Sequence, residues 1–218
     1  MGHLNWKALK NSSSSPPVIG VRFDDSEPPH STCEGCVAGK SKRRSFKSST
    51  SGSRATVPIE RIHSDLMGPM ERSAIGGFEC ACVFTCCCSR HVWIYLLKAK
   101  SQTFTVFKGF RAMVEHLFGR KIKHFRTDRG GEFMSADFTA YLEEKGIIHE
   151  TSAPRTPQHN GGAERMNQTL LGGARAMLHH AGMTQGFWSE AIHVAAHVLN
   201  RAQSWPRLED SLRTSVRT

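Results

Sequence analysis

Three acidic side chains of this sequence stand where carboxylates can do chemistry. Asp65 and Asp128 lie at the ends of segments that predict β-strands, and Glu164 lies in the first turn of a predicted helix. The ends of strands are where α/β folds commonly place ligands. Carboxylates from separate elements can hold two hard divalent cations such as Mg²⁺, which promote in-line phosphoryl displacement. The three acids therefore predict a metal-dependent phosphoryl-transfer site.

The spacing of the three acids is weak evidence for a catalytic site, but the residues around them strengthen that prediction. Asp128 is followed by Arg-Gly-Gly-Glu, a tight turn whose glycines let the backbone approach a phosphate. A short polar loop, residues 154–162, precedes Glu164. In the alternative interpretation, the aspartates merely end strands and Glu164 favours a helix N-terminus through the helix dipole. The residues by themselves leave both interpretations open.

Hydrophobic periodicity predicts the elements that position these acids. The predicted strands are residues 58–67, 78–86, 91–97, 121–126 and 147–149. The predicted helices begin at Ser101, at Ser135, near residue 163 and near residue 187, with Leu117 and Val194 among their core positions. The order of three strands, helix, strand, helix, strand and two helices predicts a mixed α/β sheet with helical cover.

Charge and hydropathy narrow the class of protein. The 218 residues include 29 Lys and Arg against 19 Asp and Glu, a formal net charge of +10. A basic block without acids favours binding to a polyanion such as nucleic acid, although a solvated linker or a localisation signal is the alternative. It contains Lys40, Lys42, Arg43 and Arg44. No apolar run approaches the roughly 18 residues of a membrane span, and the start lacks secretory-signal features. We therefore expect a soluble intracellular protein.

The seven cysteines do not suggest a secreted disulfide framework, because their number is odd and five lie between Cys80 and Cys88. Those five fall on a predicted strand and its turn, which favours buried thiols in a core. Cys33 and Cys36 have the spacing of a zinc-ligand pair, with two free thiols in a loop as the alternative.

Around the three acids the sequence resembles the integrases of copia-type LTR retrotransposons. The matching motifs run from His63 to Met70, from Phe125 to Phe133 and over residues 151–170, and the likeness continues to Arg201. The resemblance implies a ribonuclease H-like catalytic core in which Asp65, Asp128 and Glu164 hold Mg²⁺ or Mn²⁺. It also implies an enzyme, a polynucleotidyl transferase that joins element DNA ends to target DNA by strand transfer.

The same resemblance implies a zinc domain before the core, with two His and two Cys ligands. His3, Cys33 and Cys36 match three of these ligands, and the first His would lie before residue 1. Because a closed zinc site needs four ligands, we expect an incomplete Zn²⁺ site unless a fourth ligand is supplied. Next to Glu164, we expect DNA contacts from Gln158, Asn160 and Arg165, against an alternative of plain loop polarity.

The predicted organisation is a partial zinc-binding segment and basic linker at 1–57, a ribonuclease H-like core at 58–201, and an unmatched tail at 202–218. The chain is interpreted as a fragment of a retroelement polyprotein that acts on DNA as a homo-oligomer. It is expected in the nucleus or cytoplasm, within virus-like particles, and not in membranes or secreted.

Two alternatives to an active integrase remain open. Cys86 and Cys87 replace a pair of aspartates usual in the family, and the tail is unmatched. Both departures favour a catalytically inactive DNA-binding remnant. The other alternative is a ribonuclease H-like nuclease with the same acids.

Overall fold

A five-stranded mixed sheet forms the centre of the computed structural model, which describes residues 57–151 and 161–202. The strands are β1 (Arg61–Met67), β2 (Cys80–Cys86), β3 (Val92–Leu97), β4 (His124–Thr127) and β5 (Ile148–Thr151). Their order across the sheet is β3-β2-β1-β4-β5. β2 pairs antiparallel with both β1 and β3, whereas β4 pairs parallel with β1 and β5 pairs parallel with β4.

Four α-helices accompany the sheet. They are α1 (Thr103–Phe118), α2 (Ala136–Glu144), α3 (Gly161–His180) and α4 (Trp188–Ala202). Short 3-10 turns precede α1 and α4. The sequence of strands and helices along the chain is the predicted one, so the prediction of a mixed α/β fold is confirmed. No helix in these described ranges has the length and apolarity to cross a membrane.

The sheet separates two hydrophobic clusters. On one face, α1 and α2 pack on the sheet through aromatic rings, among which Phe84 stacks on Phe110 at 4.1 Å and Phe107 meets Phe125 at 4.3 Å between centroids. Such ring pairs add about 0.5–1.5 kcal/mol each beyond the burial of area. On the other face, α3 and α4 cover β1, β2 and β3, with Trp188 and Ile192 buried.

The cysteines of β2 are core residues, as the sequence predicts. Cys80, Cys82 and Cys86 are buried, and Cys87 and Cys88 are half-buried, all five as free thiols. Burial raises the pKa of the Cys82 thiol to about 12, so this thiol stays neutral. Cys86 Sγ accepts the backbone N–H groups of Ile59 and Ser89 at 3.3 and 3.5 Å. A thiol therefore supports this turn.

Local details of the helices confirm one predicted cap and correct another. Ser135 Oγ accepts the Phe138 N–H at 3.3 Å, as expected of an N-cap. Ser101 is not a cap, because it lies within the 3-10 turn Lys100–Gln102 that leads into α1. The placement of Leu117 and Val194 in the core was also wrong, since they are 59% and 49% exposed. The buried stripe of α4 instead follows Ala191, Ile192, Ala195 and Ala196.

Candidate active site

Asp65 is held on β1 by one contact from its own strand and one from α3. Its Oδ1 accepts the Leu66 N–H at 2.9 Å, and its Oδ2 accepts the Asn167 side-chain N–H at 2.7 Å. Asn167 is buried and lies three residues after Glu164, a spacing that brings two side chains to one side of a helix. Asn167 was not among the predicted site residues, although its spacing of three residues from Glu164 could have indicated that it lies beside the acids.

Asp128 follows the last residue of β4, at the same edge of the sheet as Asp65. The parallel register pairs His63 with Arg126, and each aspartate lies two residues further along its strand. Asp128 Oδ1 accepts the Gly130 N–H at 3.0 Å. A Cβ atom on Gly130 would lie 2.9 Å from Glu132 Cδ and 3.1 Å from Asp128 Oδ1. A side chain at position 130 would therefore have to displace the Glu132 and Asp128 carboxyls.

Glu164 approaches Asp65 from α3, in the first turn of that helix. Both acids line a cleft of about 470 Å³ between α3 and the end of β1. The other residues lining it are Leu66, Met67, Gly68, Pro69, Met70, Asn167, Gln168, Leu171 and Arg175. The fold thus brings the predicted first and third acids into one cleft, with Asp128 on the strand beside Asp65.

Electrostatics links the three acids. The pKa of Asp65 is raised to about 6, chiefly by burial and in addition by the negative charges of Asp128 and Glu164. The hydrogen bonds from Leu66 and Asn167 act in the opposite direction because they favour the carboxylate. Asp65, Asp128 and Glu164 therefore form one group of interacting carboxyls, which we call the acidic triad.

The acidic triad has suitable chemistry for a divalent cation. Within residues 57–151 and 161–202, no three His, Cys, Asp or Glu side chains are gathered closely enough to enclose a metal ion. The triad nevertheless offers anionic oxygens, the ligands that Mg²⁺ prefers. Its like charges oppose the ionisation of Asp65, and a bound cation would relieve this repulsion. The residues present fit such a group on chemical grounds.

Of the other predicted site residues, one lies within the described part of the chain and the rest lie outside it. Arg165 is exposed on α3 directly after Glu164. The remaining ones lie outside the described residues, so the zinc-binding and DNA-binding roles stay predictions. These are His3, Cys33, Cys36, Lys40, Lys42, Arg43, Arg44, Gln158 and Asn160.

The sheet order, the adjacent aspartates and the helix-borne glutamate define a ribonuclease H-like catalytic core of the integrase class. The sequence profile of the family described as Integrase core domain matches residues 55–157. Together with the relatives below, this match identifies the chain as an integrase region of an LTR retrotransposon.

Curated relatives come from plant transposons. The chain is 40% identical over 206 residues to the Retrovirus-related Pol polyprotein from transposon TNT 1-94 of Nicotiana tabacum, covering 94% of this chain and 15% of the relative. It is 33% identical over 205 residues to the corresponding polyprotein from transposon RE2 of Arabidopsis thaliana, covering 92% and 13%. The chain therefore spans less than a sixth of either relative.

Solved structures share the fold. One is a simian T-cell lymphotropic virus intasome in complex with PP2A regulatory subunit B56 gamma, with a TM-score of 0.55 and 18% identity. That match covers 75% of this chain and 56% of the other. Another is the HTLV-2 integrase catalytic core domain in complex with magnesium (trimeric form), with a TM-score of 0.50 and 22% identity over 67% and 88% of the two chains.

Proposed function

We propose that the chain catalyses DNA integration by metal-dependent polynucleotidyl transfer, joining the ends of retroelement DNA to target DNA. The observation that carries this proposal is the acidic triad, in which the negative charges of Asp128 and Glu164 both raise the pKa of Asp65. Membership of the integrase family supports the reaction class, and a solved protein of the same fold was obtained with magnesium.

In the proposed reaction a 3′-hydroxyl of element DNA attacks a phosphorus of the target strand. A new P–O bond forms as the bond to the target 3′-oxygen breaks, and the released oxygen takes up a proton. Asp65, Asp128 and Glu164 would hold Mg²⁺ or Mn²⁺, which when bound supplies Lewis acidity for this displacement.

The protein's own contribution is to fix the carboxylates before substrate arrives. The Asn167 and Leu66 N–H groups hold the two oxygens of Asp65 separately, and the Gly130 N–H holds Asp128. These donors set the direction of each carboxylate, so little reorganisation accompanies the reaction.

We also propose DNA as the partner of a homo-oligomer, with the basic block Lys40, Lys42, Arg43 and Arg44 contacting phosphates. The relatives solved as an intasome and as a trimer support this assembly. His3, Cys33 and Cys36 would bind Zn²⁺ where a fourth ligand is supplied. The proposed location is the nucleus or the cytoplasm, within virus-like particles.

The test uses the full chain, a labelled duplex with a retroelement end and a supercoiled target in Mg²⁺ or Mn²⁺. We expect strand transfer that disappears in Glu164→Gln and persists in Glu143→Gln, a matched change at an exposed residue of α2. Activity that survives Glu164→Gln contradicts the proposal. Salt-sensitive binding without transfer supports the inactive remnant, and cleavage of RNA in a DNA–RNA hybrid supports the nuclease.

A further inference from the structure

One side of α3 carries four residues that line the catalytic cleft. Glu164, Gln168, Leu171 and Arg175 are spaced by four, three and four positions, which places them along one face of the helix. Glu164 lies at the start of this row and Arg175 at its end. The cleft therefore has an acidic end at the triad and a cationic end at Arg175.

The Arg175 guanidinium takes no part in the polar contacts of the described fold. It is exposed and makes no hydrogen bond or ion pair with any residue that the structure describes. Other arginines are paired within the protein, as Arg61 and Arg126 are with Glu150. A guanidinium without such a partner keeps its donors for a ligand, and its planar fork suits a phosphate.

The cleft also has apolar lining residues. Met67, Met70 and Leu171 line it together with the polar Asn167 and Gln168. Sugars and bases can pack against apolar side chains, whereas charged phosphates make no favourable contact with them. Arg175 lies eleven residue steps along the helix from Glu164, about 16 Å at 1.5 Å per residue. That length corresponds to about five nucleotide steps at 3.4 Å of rise each.

We propose that Arg175 forms a phosphate subsite that holds a DNA strand several nucleotides from the reacting phosphate. The proposal rests on the proposed function, since it takes DNA as the ligand of the same cleft. The reacting phosphate would lie at the triad and a second phosphate at Arg175, so the bound strand would run along α3.

The test measures equilibrium binding of the full chain to an end duplex in Ca²⁺, at several salt concentrations. We expect Arg175→Ala and Arg175→Gln to weaken binding about tenfold and to lower the salt slope by about one. Lys108→Ala is the matched control, because Lys108 is exposed on α1 against the other face of the sheet. Unchanged affinity and slope in both Arg175 variants would overturn the subsite.

Neutral methylphosphonate linkages, placed singly along each strand, locate the contact. In the wild-type chain one linkage several nucleotides from the reacting phosphate should weaken binding, and in Arg175→Ala that linkage should have no further effect. A linkage that weakens both proteins equally contradicts the assignment. Arg175-dependent binding without any strand transfer refutes the proposed function alone, and strand transfer with Arg175-independent binding refutes the subsite alone.

Discussion

Asp65 and Asp128 are neighbours across the parallel pair of β1 and β4, each two residues past the paired His63 and Arg126. Because side chains alternate along a strand, both acids project from the same face of the sheet. Neighbouring strands are about 4.8 Å apart, so the backbone itself holds the two carboxyls side by side. Burial of Asp65, together with the nearby charge of Asp128, raises the pKa of Asp65 to about 6.

The raised pKa of Asp65 makes stability depend on pH. The native state binds this proton more tightly than the unfolded chain, in which an aspartate has a pKa of about 3.9. The free energy of unfolding therefore falls as pH rises from about 4 to about 6, and the penalty persists above that range. We expect Asp65→Asn to be about 2 kcal/mol more stable than the wild type at pH 7 and equally stable at pH 4. Urea unfolding at both pH values measures this, and an equal gain at pH 4 would refute it.

A divalent cation should remove the same penalty. We expect millimolar Mg²⁺ or Mn²⁺ to raise the melting temperature of the wild type at pH 7.5, because a ligand that binds only the native state stabilises it. Asp65→Asn should respond much less, and EDTA should reverse the shift. Differential scanning fluorimetry gives the readout, with Na⁺ at equal ionic strength as the control. Equal shifts in both proteins would argue against cation binding at the triad.

The hydrogen bond from Asn167 should lower the pKa of Asp65. Asn167→Ala removes the hydrogen bond that favours the carboxylate, so the pKa of Asp65 should rise by about one further unit. The acidic limb of the pH–rate profile for strand transfer should move up by the same amount, while activity at high pH changes less. Thr169→Ala, an exposed change on the same helix, serves as the control. A uniform loss of activity at every pH would show a structural role instead.

A side chain added in the turn after β4 should disturb the neighbouring carboxyls at Gly130 and have no effect at Gly131. A Cβ at Gly130 meets Glu132 and Asp128, whereas a Cβ at Gly131 has open space. We expect Gly130→Ala to displace Asp128 slightly and to lower strand transfer a few-fold with little change in melting temperature. Gly131→Ala should leave both unchanged. Equal activity in the two variants would show that the position of Asp128 tolerates the shift.

The sequence was most informative where local pattern decides structure. The order of elements follows from hydrophobic periodicity, and Asp65 and Asp128 could be paired because strand ends in a parallel arrangement share an edge. Ser101, Leu117 and Val194 were misjudged, because a helix period locates a stripe without saying where a preceding 3-10 turn ends or which side the sheet covers.

The contributions of Asn167 and Arg175 could not be derived in the same way. They depend on how α3 crosses β1, which is set by packing between segments far apart in the chain. Periodicity can show that Glu164 and Asn167 share one side of a helix. It cannot show which carboxylate that side will meet.

The hydrogen bond between Asp65 and Asn167 joins residues 102 positions apart. A ribosome adding about 5–20 residues per second needs roughly 5–20 s to deliver the second residue after the first. During that interval β2 can pair with β1 and then with β3, yet Asp65 still lacks its α3 partners. The acidic triad is therefore completed only after the sheet that carries its two aspartates has been synthesised.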